Sequence, residues 1–159
     1  MVWYNKFMKL VIQRVKKAKV EINEKIVGKI AEGYLILVGI HDTDTKEVVE
    51  HMAQKVIKLR IFDDRDGKMN LSLLEKQGSI LSVSQFTLYA DVRKGNRPSF
   101  TNAGNPALSN ELYHYFNEVL RNNGIHVEEG IFGADMQVSL LNDGPVTICI
   151  DSKEMSWGK

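Results

Sequence analysis

A glycine–proline pair interrupts an apolar stretch near the C-terminus of this 159-residue chain and limits how that stretch can fold. Residues 138–141 and 146–150 on either side are mostly apolar and partly β-branched, which is typical of strands. Pro145 has no N–H to donate to a sheet, and Gly144 permits backbone conformations closed to other residues. Because Asp-Gly between apolar runs is a strong hairpin signal, the local pattern predicts a turn at residues 142–147. The bond before Pro145 is also one that can be cis.

The other apolar runs predict a β-rich chain. Residues 34–40 form the most continuous apolar run and predict a fully buried central strand. Residues 10–15 predict a first strand, and residues 20–30 predict a hairpin with its turn at Asn23-Glu24-Lys25. Residues 79–89 predict a later strand that becomes polar towards its end.

Two long amphipathic helices are also predicted. Thr45 or Asp44 can cap the first, whose apolar residues recur at helical spacing as far as residue 59. Pro106 suits the first position of the second helix, which Gly124 ends. With about eight strands and two long helices, the sequence predicts an α+β fold with a barrel-like sheet and the helices on one side.

The size and charge of the chain indicate a single domain over residues 1–159, in which residues 1–7 are an N-terminal appendage. The net charge of +1 gives no global basic field, so any nucleic-acid contact requires a local patch. A single cysteine excludes an intrachain disulfide, so we expect a cytoplasmic protein. No apolar run approaches the roughly 20 residues of a membrane span, so we expect no membrane partner. DNA is not an expected partner either. The single cysteine, Cys149, lies in an apolar run and is predicted to be a buried, inert thiol.

Several kinds of catalytic site are excluded by the sequence. It contains no phosphate-binding loop, dinucleotide fingerprint, zinc-protease motif or nucleophile elbow. Residues 63–67 suggest calcium, but Phe62 and Leu73 occupy positions where an EF-hand loop needs acidic ligands. We therefore expect neither a metal nor a cofactor.

Two polar clusters in apolar surroundings remain, at residues 84–87 and 142–145. Without a histidine base or a metal, an activated ester can still be hydrolysed by positioning and by backbone N–H groups directed at the oxyanion. Arg14, near the end of the first strand, is either an edge residue or a fixed donor to carbonyl groups. Residues 93–97 supply three cations that suit either phosphate contacts or a solvated loop.

These clusters resemble the two motifs of the D-aminoacyl-tRNA deacylases. Ser84-Gln85-Phe86-Thr87-Leu88 matches their Ser-Gln-x-x-Leu motif, and Asn142-x-Gly144-Pro145-Val146-Thr147 matches their second motif. The likeness extends to residues 13–15, 94–100 and 132–134, and runs from Met8 to about Asp151.

The resemblance implies a homodimeric hydrolase that cleaves the ester between a D-amino acid and the 3′-terminal adenosine of tRNA, with active sites at the dimer interface. It implies a cis Gly144–Pro145 bond that each subunit presents to the other, so that the two carbonyls exclude an L side chain and admit glycine. Asn142 belongs to this substrate-binding motif, and Arg14 holds its orientation. Ser84, Gln85, Phe86 and Thr87 would be catalytic.

The resemblance leaves two mechanisms open. Either the Thr87 hydroxyl is the nucleophile, or a backbone N–H near Phe86 or Thr87 stabilises the oxyanion while the ribose 2′-OH assists a water. The rival interpretation is a non-catalytic RNA-binding module that uses Arg93, Lys94 and Arg97 to contact tRNA.

Overall fold

The computed structural model describes residues 7–156. The described chain forms eight strands, three α-helices and two 3-10 helices. None of its helices is long and apolar enough to cross a membrane. The strands are β1 Lys9–Ile22, β2 Lys25–Ile30, β3 Gly33–Gly39, β4 Phe62–Asp63, β5 Met69–Leu71, β6 Ser79–Ser84, β7 Val127–Glu129 and β8 Gln137–Asp151; the helices are α1 Lys46–Lys58, α2 Leu73–Lys76, α3 Pro106–Asn122 and the 3-10 helices Phe86–Tyr89 and Ser152–Glu154.

Six of these strands form one sheet in the order β2-β1-β3-β6-β7, with β8 paired along the other edge of β1. β3, β6 and β7 are parallel neighbours, while β1 is antiparallel to each strand that it pairs with. The sheet curls until β2 lies against β6 and β7: a Cβ added at Gly28 would be 3.1 Å from the Glu129 carbonyl oxygen and from Leu81. The predicted α+β fold with a barrel-like sheet is confirmed, although β4 and β5 form a separate small sheet.

The curled sheet has a buried core on each face. The larger core lies between the sheet and the two long helices, and includes Ile36 of β3, Met52 of α1 and Phe116 of α3. The smaller core lies on the opposite face and includes Leu35 and Val83. Because β3 contributes to both cores, almost all of its residues are buried, as its continuous apolar run predicted.

Local signals in the sequence produce the expected ends of several elements. The Thr45 side chain caps α1 by accepting the Val48 N–H, and α3 begins at Pro106. The turn between β1 and β2 places Asn23 and Glu24 at positive φ, as a tight hairpin requires.

The predicted hairpin turn at residues 142–147 is wrong. β8 does not reverse direction here, since it pairs with β1 on both sides of the stretch, but the strand is sharply broken. Thr147 pairs with Gln13 and Asn142 with Val15, so residues 143–146 bulge out opposite Arg14. Among the described residues β8 has no strand along its other edge, so Pro145 costs no ladder hydrogen bond there. The Gly144–Pro145 pair is therefore an irregularity within an edge strand, which the local Asp-Gly signal could not distinguish from a turn.

Three further expectations need correction. The strand predicted over residues 79–89 ends at Ser84, and the chain then turns into the Phe86–Tyr89 helix. Cys149 is exposed rather than buried, because its side chain lies on the outer face of β8. Of the predicted N-terminal appendage, residues 1–6 lie outside the described residues, but Phe7 is part of the fold: its N–H donates to the Asp44 carboxylate at 3.0 Å.

Candidate active site

A cavity of about 840 Å³ opens where β6 ends. Its size suits a small organic ligand or one nucleoside rather than an ion. One wall is formed by Ser84, Gln85 and Phe86, and the opposite walls come from the segments at 103–106 and 132–136. The first of the two motif clusters therefore lies on a real concave surface.

The first motif is held where it is by the end of the central sheet. The Gln85 N–H donates to the Val38 carbonyl at 2.8 Å, so the chain leaves β6 still attached to β3. The Phe86–Tyr89 helix follows, with the Phe86 side chain 57% exposed at the cavity wall. Thr87 is exposed and is not among the described residues that line the cavity.

The Thr87 hydroxyl has an amide neighbour rather than a base. Its Oγ1 accepts a short hydrogen bond from Gln85 Nε2. An amide cannot remove the hydroxyl proton, so this contact orients Thr87 without activating it as a nucleophile.

Two aromatic residues of the cavity, Phe100 and Phe132, were missed by the site prediction, which named only Phe86. Phe86 and Phe100 meet edge to face with ring centroids 5.0 Å apart, and Phe132 lines the cavity as well. Both Phe100 and Phe132 stand in segments that share the family resemblance, which was the available signal. Phenyl rings of this kind offer flat apolar faces to a planar ligand.

The second motif is built around a cis Gly144–Pro145 peptide bond. Gly144 has φ +123°, and a Cβ added there would lie 2.8 Å from a Val146 methyl group and 3.1 Å from Arg14 Nη2. Glycine is therefore required at this position for both its backbone conformation and its lack of a side chain.

Arg14 attaches this motif to the rest of the fold. Its side chain is buried, and its Nε donates to the Asp143 carbonyl at 3.2 Å while Nη1 donates to the Ile61 carbonyl at 2.7 Å. Asp63 and the Asp143 carboxylate lie 3.3 and 3.4 Å from the same guanidinium group. The fork of Arg14 thus bridges the Gly144–Pro145 segment and the start of β4, which resolves its role in favour of a fixed donor.

The Asn142 side chain stabilises the irregular part of β8 by hydrogen bonds to both sides of it. Its Nδ2 donates to the carbonyl oxygens of Arg14 and Val146, both at 3.0 Å, and its Oδ1 accepts from the Thr147 hydroxyl at 3.3 Å. These bonds satisfy carbonyl groups that the broken ladder would leave without partners.

The sequence of residues 11–151 matches the family described as D-Tyr-tRNA(Tyr) deacylase. The chain belongs to this family. A protein of Bacillus pumilus (strain SAFR-032) named D-aminoacyl-tRNA deacylase is 58% identical over 147 residues, which cover 92% of this chain and 100% of the relative. A second protein of that name, from Fervidobacterium nodosum, is 53% identical over 148 residues, which cover 93% of this chain and 99% of the relative.

Solved structures share the fold. One titled c-Myc DNA Unwinding Element Binding Protein superposes with a TM-score of 0.84 at 42% identity, covering 89% of this chain and 97% of that one. Another, titled as a probable eukaryotic D-amino acid tRNA deacylase, gives a TM-score of 0.78 at 19% identity, with 91% and 99% covered.

The two deacylase-family motifs do not meet within one chain. Along the sheet, Ser84 pairs with Val38, Val38 with Leu10, and Leu10 with Ile150. Gly144 lies in the bulge opposite Arg14, four residues along β1 from Leu10, which separates it from the level of Ser84 by about 13 Å along the strands. In the other direction β8 is three strands away from β6, at about 4.8 Å per strand. Within the described residues, none from 142–147 lines the cavity.

The predicted tRNA-contacting cations lie on an exposed loop away from the cavity lining. Arg93 is already paired: its Nη2 and Nε donate to the two Asp91 carboxylate oxygens at 2.7 and 2.9 Å. These hydrogen bonds lower the pKa of Asp91 to about 2. Lys94 and Arg97 are exposed on the same loop, so they are better placed than Arg93 to meet a phosphate.

Proposed function

We propose that this protein hydrolyses the ester that joins a D-amino acid to the 3′-terminal adenosine of tRNA, and so removes D-aminoacyl-tRNA during translation. The single observation that carries the proposal is the full-length relationship to proteins named D-aminoacyl-tRNA deacylase, with both motifs in place. The geometry of the two motifs adds support and suggests how the reaction proceeds.

The cavity beside Ser84 is the proposed site of the terminal adenosine. Its volume suits one nucleoside, and Phe86, Phe100 and Phe132 supply apolar faces for a purine base. Binding there would bring the 3′-ester of the ribose next to residues 84–87.

A homodimer would complete this site. The Gly144–Pro145 pair lies too far from the cavity of its own chain to contact the same substrate, whereas a second copy could present it. The outer edge of β8 is suited to such an interface, because Leu141 is 52% exposed and Pro145 and Cys149 are exposed too.

Selection for the D configuration would be achieved by exclusion. The carbonyl oxygens of Gly144 and Pro145 would face the α-carbon of the substrate, where a hydrogen and an amino group fit but an L side chain collides. Glycine has no side chain to exclude, so glycyl-tRNA is also a proposed substrate. The Arg14 fork keeps Asp143, and with it the neighbouring carbonyls, in one orientation.

For the chemical step we favour attack by water. The water oxygen bonds to the ester carbonyl carbon, the 2′-OH of the ribose relays its proton, and a backbone N–H at Phe86 or Thr87 stabilises the oxyanion. The bond to the 3′-oxygen then breaks, and that oxygen takes the proton. The amide contact at Thr87 Oγ1 supports this route over a threonine nucleophile.

The first test follows ester loss from matched D- and L-tyrosyl-tRNA with wild-type protein. We expect rapid loss of the D ester only. An RNA-binding module would instead bind both esters in a salt-dependent way and cleave neither, and that result would sink the deacylase proposal. Duplex DNA is a useful competitor here, since a 42% identical relative is named for DNA binding.

The second test separates the two mechanisms. With D-tyrosyl-tRNA that ends in 2′-deoxyadenosine, we expect hydrolysis to fall at least about a hundredfold, because a general acid–base group is missing. Normal cleavage of this substrate would eliminate the ribose-assisted route. If Thr87→Ala abolishes turnover while the substrate still binds, the nucleophile route is correct.

A further inference from the structure

Tyr89, the last residue of the Phe86–Tyr89 helix, reaches back from the active-site segment to the start of the chain. Its side chain is 5% exposed. The hydroxyl donates to the Phe7 carbonyl oxygen at 2.5 Å, and the Gly39 carbonyl oxygen lies 3.0 Å away. We propose that Tyr89 is a positioning residue for deacylation, which fixes the Phe86–Thr87 backbone through the carbonyl groups of Phe7 and Gly39. This inference rests on the proposed function of residues 84–87.

The Phe86–Tyr89 helix needs outside support because it is a single turn. Short 3-10 helices have poor internal hydrogen bonds and do not persist alone, and here the Leu88 N–H is 3.4 Å from the Gln85 carbonyl. Its first end is fixed by the bond from Gln85 to Val38 at 2.8 Å. Tyr89 supplies the corresponding attachment at the other end, so the backbone between them is held from both sides.

The ring of Tyr89 sits on a closely fitted surface. A Cβ added at Gly39 would be 2.9 Å from the Tyr89 ring, so the ring rests directly on the β3 backbone. The His41 ring packs against it with centroids 5.9 Å apart, and the Lys9 ammonium group lies 5.1 Å from its centroid. Burial raises the pKa of Tyr89, so the hydroxyl stays protonated and remains a donor.

The acceptor of this hydrogen bond is itself fixed. The Phe7 N–H donates to the buried Asp44 carboxylate at 3.0 Å, and the Phe7 ring packs on His41 at 4.7 Å. Phe7, two residues before the start of β1, is therefore connected through Tyr89 to the segment proposed to carry the oxyanion donors. Neither the spacing of the motifs nor their composition indicates this connection.

The test compares Tyr89→Phe with Tyr115→Phe as a matched control. Tyr115 is also a hydrogen-bonded tyrosine, with its hydroxyl 3.2 Å from Glu50 on the helical side of the molecule. For Tyr89→Phe we expect kcat on D-tyrosyl-tRNA to fall about 10-fold or more with KM within twofold, since misplaced catalytic groups lower turnover rather than binding. Tyr115→Phe should keep both constants within twofold.

A second measurement does not depend on activity. In ¹⁵N-labelled protein, Tyr89→Phe should shift the backbone amide resonances of Phe86 and Thr87, whereas Tyr115→Phe should leave them in place. If the wild type cleaves no D-aminoacyl-tRNA, the proposed function fails, but the amide shifts still report on the positioning.

A third variant tests the Phe7 link and covers the case in which Tyr89→Phe does not fold. A chain that begins at Met8 loses the Phe7 carbonyl but keeps Tyr89 and the Gly39 acceptor. Its kcat should therefore lie between those of wild type and Tyr89→Phe. If Tyr89→Phe does not fold, the comparison is with wild type only, and the kcat of the shortened chain should be lower. Two results with Tyr89→Phe would overturn the proposal: kcat within twofold of wild type with both amides unshifted, or a raised KM with constant kcat. If Tyr89→Phe does not fold, wild-type kcat in the shortened chain would overturn it.

Discussion

Replacement of Arg14 by lysine tests whether the orientation of the Gly144–Pro145 pair depends on a rigid fork of donors. The guanidinium group holds the Ile61 carbonyl at 2.7 Å through Nη1 and the Asp143 carbonyl at 3.2 Å through Nε. Lysine keeps the positive charge but has one ammonium group on a flexible stem, so it cannot occupy both positions with the same geometry.

The size of the effect follows from the bonds that are lost. If the ammonium group takes the Ile61 carbonyl, which is buried, the bond to the Asp143 carbonyl and the contact with its carboxylate are lost, at about 1–2 kcal/mol. The Asp63 side chain is 54% exposed, so its ion pair adds less than about 1 kcal/mol. We expect Arg14→Lys to lower the free energy of unfolding by about 2 kcal/mol and the melting temperature by about 4–8 °C.

Urea unfolding and the paired D and L ester assay measure the two consequences. Arg60→Lys is the matched control, because Arg60 is exposed and donates to the Asn70 carbonyl at 2.8 Å on the surface; its effect should stay within about 0.5 kcal/mol. Arg14→Lys should also begin to cleave L-tyrosyl-tRNA as the carbonyls lose their support. Wild-type stability together with wild-type rejection of the L ester would refute this account of Arg14.

Three other predictions concern separate parts of the molecule. Gly144→Ala should destabilise the protein by about 1–3 kcal/mol in urea unfolding, whereas Gly95→Ala, also at positive φ but with nothing within 4 Å of the added Cβ, should cost less. Burial raises the pKa of Asp44 from 3.8 to about 6, so its contribution to stability is complete below about pH 4 and is lost as the pH rises through 6. Between pH 7.5 and 5 the free energy of unfolding should therefore rise by about 1.4 kcal/mol more in wild type than in Asp44→Asn, and parallel profiles would contradict this. If Lys94 and Arg97 contact tRNA phosphates, replacing both by glutamine should lower the slope of log affinity against log salt by about 2; an unchanged slope would remove this loop from the interface.

The elements of the fold were predictable where a strong pattern was local. The continuous apolar run of β3 and the helical spacing in α1 and α3 each extend over several residues, and the capping side chain Thr45 marks a boundary within one turn. At these elements the local preference and the final tertiary contacts agree, so the pattern in the sequence correctly predicts the structure.

The predictions failed where a distant part of the chain decides the local structure. The Asp143-Gly144 sequence is a turn signal, but β1 pairs with β8 on both sides of it, so the chain makes a bulge at residues 143–146 and continues in the same direction instead of reversing. Cys149 lies in an apolar run that has only one strand beside it in the described part of the chain, which exposes its outer face. An edge position cannot be read from residues that are local in sequence.

The candidate site follows the same division. Its motif residues, such as Ser84 and Gln85, were identified from the sequence and lie together at the cavity. The partners of Arg14 at Ile61 and Asp143 are 47 and 129 residues away along the chain, and only the fold brings them together. The link from Tyr89 to Phe7 spans 82 residues and leaves no trace in local composition.

The length of β1 has a consequence for how such chains can vary. This one strand carries Lys9 beside the Tyr89 ring at its start and Arg14 beneath the Gly144–Pro145 pair at its middle. Inserting or deleting one residue between them would shift these groups by about 3.3 Å and turn Arg14 to the opposite face of the sheet. Length changes should therefore be rejected over residues 9–14 and tolerated at the turn of residues 23–24, a contrast that a library of single-residue insertions can read directly.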